Sequence, residues 1–255
     1  MKKRLIYFIT FILTITVIAI FAFSEKKETV AVIGAMDVEI EEIAANLSNI
    51  TKQANQNTFE ITTGNLGKYK IILTKSGVGK VASATTAQYI IDKYKPKYIA
   101  NIGIAGSISP EIKAGDTIIA EKMIQHDFDV TAFGNPKGYI DNGIELDKPT
   151  IFYSDKALVD KYAKENTVKL GTIATGDIFV TDTKLKNSIR QEFGADAVDM
   201  ESAAIAQTAK RNNIPIIVFR TISDGLNGTT EEYNQNKQDI AKKPASIIIR
   251  TLKSK

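Results

Sequence analysis

Three stretches of this 255-residue chain set carboxylates beside small residues: Gly34-Ala35-Met36-Asp37-Val38-Glu39, Val198-Asp199-Met200-Glu201-Ser202 and Arg220-Thr221-Ile222-Ser223-Asp224. Carboxyl groups in such settings can give or take protons. Few other catalysts are available. The absence of cysteine removes disulfides, thiolate nucleophiles, cysteine-based zinc sites and iron–sulfur clusters. A Ser-His-Asp relay would have to run through the single histidine, His126, and a multi-histidine metal site is excluded. No metal and no cofactor is called for. Chemistry therefore rests on carboxylates, hydroxyls, Arg or Lys, and backbone groups. Each acid alone has a plain structural explanation, since one in the first turn of a helix stabilises it by ~0.3–1 kcal/mol, and Asp199 is well placed to cap a helix.

Glycine-rich loops stand near these acids. Ser76-Gly77-Val78-Gly79-Lys80 fails as a phosphate loop, because Thr74 occupies the first glycine position and Val81 follows the lysine. As a dinucleotide fingerprint it lacks an acid at the end of the next strand, Ala100-Asn101-Ile102-Gly103. Gly103-Ile104-Ala105-Gly106-Ser107 offers a small-residue floor, and Thr175-Gly176-Asp177-Ile178-Phe179-Val180 an aromatic beside exposed backbone.

The elements that must position these groups follow from apolar periodicity. Strands are predicted at Thr29–Ala35, Thr58–Thr63, Tyr69–Thr74, Tyr98–Ile102, Asp116–Met123, Val168–Ala174, Ala197–Asp199 and Ile214–Thr221. Helices are predicted at Asp37–Leu47, Lys80–Tyr94, Ser154–Glu165, Asp182–Phe193 and Glu201–Asn212. Glu231–Leu252 is helical in period but holds Pro244, which should end or kink a helix. This alternation predicts an α/β fold, a three-layer sandwich around a central mixed, mostly parallel sheet. Residues 28–255 read as one domain. In such sheets ligands sit at the carboxyl ends of the strands, and separate strands deliver acids or small residues to that one edge.

The first 24 residues are set apart. Lys2-Lys3-Arg4 precedes the uncharged run Leu5–Phe23, the pattern of a signal peptide or an N-terminal membrane anchor, so an exported or outward-facing protein is expected. The remainder holds 30 basic against 29 acidic side chains, no footprint for nucleic acid.

In order and spacing, VIGAMDVEIEEI, KSGVGKVASA, NIGIAGS, HDFDVTAFG, GDIFV, VDMESAAIA and RTISD resemble the 5'-methylthioadenosine/S-adenosylhomocysteine nucleosidases of the nucleoside phosphorylase superfamily. The resemblance runs from Val30 to Asp224 and is looser beyond. It implies that fold and hydrolysis of the bond between adenine and a 5'-thio-substituted ribose. It further implies that Asp224 protonates adenine at N7, a role requiring a carboxyl that still holds its proton near neutral pH and hence a desolvated site. By the same resemblance, Glu39 activates water, Glu201 grips the ribose hydroxyls, and Met200 packs on the sugar. Phe179 stacks on adenine, the Val180 backbone reads its edge, Gly106 and Val78 line the pocket, and Ser223 and Arg220 hold Asp224 and the water region. Phe133 reaches a neighbouring subunit's 5'-thio pocket, which implies a homodimer. Two positions depart from the pattern: Ile104 replaces a small hydroxyl residue, and Tyr233 is the nearest counterpart of an aromatic that closes over the 5' group.

Two further readings stand beside hydrolysis. One is an exported nucleoside-binding protein without turnover, motivated by the export signal. The other is a purine nucleoside phosphorylase, against which the acids at Asp37 and Glu39 speak, since a phosphate dianion calls for cations and backbone donors.

Overall fold

A computed structural model of the protein describes residues 27–54, 60–140 and 148–254. The strands are β1 (Thr29–Gly34), β2 (Ser48–Ala54), β3 (Glu60–Leu66), β4 (Tyr69–Lys75), β5 (Tyr98–Ser107), β6 (Thr117–Gln125), β7 (Phe152–Tyr153), β8 (Lys169–Thr175), β9 (Ala197–Asp199) and β10 (Ile216–Asp224). The helices are α1 (Asp37–Ala45), α2 (Lys80–Tyr94), α3 (Lys156–Lys164), α4 (Thr183–Phe193), α5 (Ser202–Arg211), α6 (Thr230–Ile240) and α7 (Lys242–Lys253). The segment 1–24 lies outside the described residues.

All the described strands join one sheet, ordered β10-β6-β8-β9-β5-β1-β4-β3-β2, with β7 flanking β6. A further parallel pairing of β10 with β5 closes β5, β10, β6, β8 and β9 into a ring. The sheet is mixed: β1 runs parallel to β4 and β5, and β6 to β8, whereas β9 is antiparallel to β5 and β10 to β6.

The period of two along β1 divides the interior. Ala31 and Ile33 belong to one buried cluster with Ala87 and Ile90 of α2 and Ala203 and Ala206 of α5. Val30 and Val32 face the other way, toward Ile43 of α1, Val159 and Tyr162 of α3, and Ala245 and Ile248 of α7. Helices therefore cover both faces, the three layers expected. Each fully buried Ile or Val side chain contributes ~1.5–3 kcal/mol over its exposed state.

Several boundaries differ from expectation. The Gly103–Ser107 stretch continues strand β5, and β10 runs through Asp224, past a register shift between Ile222 and Asp224 against β5. Ser223 and Asp224 are thus held in a strand end and not in a loop beyond it. The C-terminal helical segment divides between Ile240 and Lys242, and Pro244 falls in the first turn of α7, where its missing N–H has no carbonyl to lose. Strand β2, SNITKQA, was not predicted because it lacks an apolar run.

Candidate active site

One cleft of about 570 Å³, counted to its open mouth, lies at the carboxyl ends of β1, β5 and β10 and beside the starts of α1 and α5. Glu39, Val78, Gly106, Phe179, Val180, Met200, Glu201, Ser223 and Asp224 all line it, with Met36, Ile104 and Tyr233.

Glu39 is delivered by the turn from β1 into α1. One carboxylate oxygen accepts the amides of Ala35 at 2.6 Å and Met36 at 3.0 Å, and the other accepts that of Ile104 at 3.1 Å. Burial raises its pKa above the ordinary carboxylate range despite the opposing pull of the Arg220 guanidinium and these three amides. A carboxylate of raised pKa is a stronger base toward water. Space here is tight: a Cβ on Gly103 would lie 2.8 Å from Glu39 Oε1 and 3.2 Å from Arg220 Cζ.

Glu201 precedes α5, and its carboxylate accepts the Gly79 amide at 3.0 Å. Burial, then the neighbouring Asp199 charge, push it up to about 7. Asp199 itself is consumed structurally. It accepts Thr175 Oγ1 at 2.6 Å, the Ser202 amide and hydroxyl, and Arg220 Nε at 2.9 Å.

Asp224 accepts the Ser223 hydroxyl at 2.6 Å, and its carboxyl lies over Gly106, where a Cβ would stand 3.2 Å and 3.3 Å from the two oxygens. Arg220 was expected to help hold it. The bonds of Arg220 go instead to Asp199, to Asn101 Oδ1 at 2.8 Å and to the Phe219 carbonyl, placing its charge 3.9 Å from Glu201. The cation against Asp224 is Lys186 of α4, at 3.0 Å, which sequence reasoning missed. Its signal was a lysine on the stripe Lys186, Ile189, Phe193 that α4 buries.

Phe179 is half-exposed at the cleft mouth, and its ring meets Tyr233 edge-on at 5.1 Å. Tyr233 OH lies 3.8 Å from Met36 Sδ, and Ile104, Ile240, Ala241, Met36, Val38 and Tyr233 form one apolar cluster at this end. Phe133, in a single 3-10 turn at Thr131–Phe133, is 84% exposed and does not line the cleft of its own chain. Among the described residues, no group of three or more His, Asp or Glu side chains is arranged to hold a metal ion.

A sheet closed in this way, with acids converging on its strand ends, has counterparts among known proteins. The family model described as "Phosphorylase superfamily" matches residues 29–253. A Staphylococcus aureus 5'-methylthioadenosine/S-adenosylhomocysteine nucleosidase is 34% identical over 208 residues, 79% of this chain and 89% of that protein. The solved nucleosidase of S. pneumoniae, in complex with a transition-state inhibitor, has a TM-score of 0.82 at 31% identity, covering 88% of this chain and 98% of its own. That of Neisseria meningitidis, bound to methylthio-immucillin-A, has a TM-score of 0.82 at 32% identity, covering 89% of this chain and 100% of its own. A futalosine hydrolase of Helicobacter pylori has a TM-score of 0.81 at 25% identity, covering 88% and 97%. The chain belongs to the 5'-methylthioadenosine/S-adenosylhomocysteine nucleosidase family, N-glycosyl hydrolases within the phosphorylase superfamily.

Proposed function

We propose that the protein hydrolyses the N-glycosidic bond of 5'-thio-substituted adenine nucleosides such as 5'-methylthioadenosine or S-adenosylhomocysteine, releasing adenine. The carrying observation is that Glu39, Glu201 and Asp224, from three distant stretches of chain, line one cleft together with Phe179 and an apolar end. In this reading adenine lies against Phe179, with the Val180 backbone at its edge and Val78 and Gly106 lining the pocket. Asp224, steadied by Ser223, gives its proton to N7 of the departing base. The bond's electron pair leaves with adenine, and the sugar develops positive charge. Glu39 takes a proton from the attacking water, and Glu201 accepts the ribose hydroxyls while Met200 packs on the sugar. The 5'-thio group lies among Met36, Ile104 and Tyr233.

Water is favoured over phosphate as the attacking group because Glu39 already occupies the amides of Ala35, Met36 and Ile104. Those are the donors an incoming anion would require, and a carboxylate at this place repels a dianion.

Phe133, Val81 and Ile178 are large apolar side chains left exposed, the kind of surface that a second copy of the chain would cover. We assign these residues to a homodimer interface through which Phe133 reaches the partner's 5' pocket. Residues 1–24 we assign to export of the chain, as a cleaved signal or an outward-facing anchor.

Incubation with methylthioadenosine, with and without phosphate, tests the reading. Adenine release at equal rates in both supports it. Release only with phosphate, yielding a sugar phosphate, would make the protein a phosphorylase. Binding without release would make it a receptor.

A further inference from the structure

Lys186 projects inward from α4 with no exposed side-chain surface, and its ammonium sits 3.0 Å from Asp224 Oδ2 and 3.0 Å from the Gly225 carbonyl oxygen. Packing alone gives no reason for the charge. A wholly buried lysine is rare unless paired, and an uncharged side chain on this stripe would avoid the cost of desolvating an ammonium. The pair completes a frame around one carboxyl: Ser223 on Oδ1, Lys186 on Oδ2, and the Gly106 backbone beneath.

We propose that Lys186 is a positioning residue for the acid step, holding the Asp224 carboxyl and stabilising the carboxylate left when its proton passes to adenine. This rests on the reading of Asp224 as the acid. In that step the Asp224 O–H bond breaks, the proton joins the leaving base, and the glycosidic electron pair goes to the base. A new negative charge then remains beside the ammonium, which keeps all its protons. A fixed cation where charge develops lowers the barrier without reorganisation. Removing it should therefore slow the chemical step while leaving substrate binding intact. The other ionisable groups facing the cleft are Glu39, Asp199, Glu201 and Tyr233, and Glu232 of α6 approaches through Gly228.

The test is kcat and KM for the full chain, its Lys186→Gln and Lys186→Arg variants, and Asp224→Asn, with methylthioadenosine. Lys186→Gln should lower kcat by about tenfold or more and leave KM near wild type. Lys186→Arg, which keeps the charge, should restore most of kcat. A Gln variant with the wild-type kcat, one whose loss appears in KM instead, or an Arg variant slowed as much as the Gln variant overturns the proposal. Should Lys186→Gln fail to fold, the unaltered protein gives the answer through nitrogen-15 NMR of its lysine side chains. A solvent-protected ammonium signal should shift when adenine is added, and its failure to shift overturns the proposal. If wild type releases no adenine, or Asp224→Asn retains full activity, the reading of the site falls and this inference with it. An active wild type, an inactive Asp224→Asn and an unchanged Lys186→Gln would reject Lys186 alone.

Discussion

The Glu201 carboxylate accepts the backbone amide of Gly79 at 3.0 Å, across 122 residues of sequence. Gly79 has φ of 98°, a conformation that L side chains rarely adopt, and this aims its N–H at the site. A loop resembling a phosphate cradle thus presents its amide to the protein's own carboxylate. The bond also ties the start of α2 to the start of α5, so the cleft is braced from both sides.

Replacement of either catalytic candidate should separate binding from turnover. Asp224→Asn is expected to lower kcat by about a hundredfold to ten-thousandfold, the usual contribution of a positioned acid, with nucleoside affinity within about tenfold of wild type. Glu39→Gln should do the same. Single-turnover adenine release checks both, and a wild-type rate in either variant removes that residue from the chemistry.

The raised Glu201 predicts a pH signature in stability. Below its unfolded value of 4.5 the group is protonated in both states and costs nothing. Between 4.5 and about 7 the folded state holds the proton that the unfolded chain has released, so this group's contribution falls as pH rises and is level above that range. Urea unfolding of wild type and Glu201→Gln should therefore show wild type losing ground to the variant across this window. Parallel curves would contradict the assignment.

Two glycines should respond differently to alanine. A Cβ on Gly176 would stand 2.4 Å from His126 Nε2 and 3.0 Å from Asp127 Cγ, so Gly176→Ala is overpacked. It should cost ~1–3 kcal/mol in denaturant unfolding. Gly103→Ala instead presses on Glu39 and Arg220. Its activity should fall much further than its unfolding midpoint, and retained activity would mean that the Glu39 frame tolerates displacement.

Phe133→Ala should weaken self-association in sedimentation velocity and raise KM for nucleosides with a 5'-thio group more than for adenosine. A monomeric wild type would end the assignment of Phe133 to a partner's pocket.

Much of this arrangement was legible in the residues. Apolar runs located the central strands, and acids following them marked the edge at which they converge. Strand ends were harder to place because Gly103, Ala105 and Gly106 resemble loop residues. They are small because Glu39, Arg220 and Asp224 lie against Gly103 and Gly106. The partner of Arg220 was not readable, since the carboxylates of Asp199 and Glu201 both lie within 3.9 Å of it and only the fold makes Asp199 the nearer. Lys186 was readable as an anomaly on the apolar stripe of α4, though its bond to Asp224 was not.

The ring of five strands also governs when the protein can assemble. Strand β10 seals it by pairing with both β5 and β6, and it is the last of the described strands in chain order. A chain emerging from the ribosome cannot complete this seal until β10 has followed the other described strands out. The acid is the last of the three carboxylates to arrive, so closure of the ring and competence for chemistry come in a single late event.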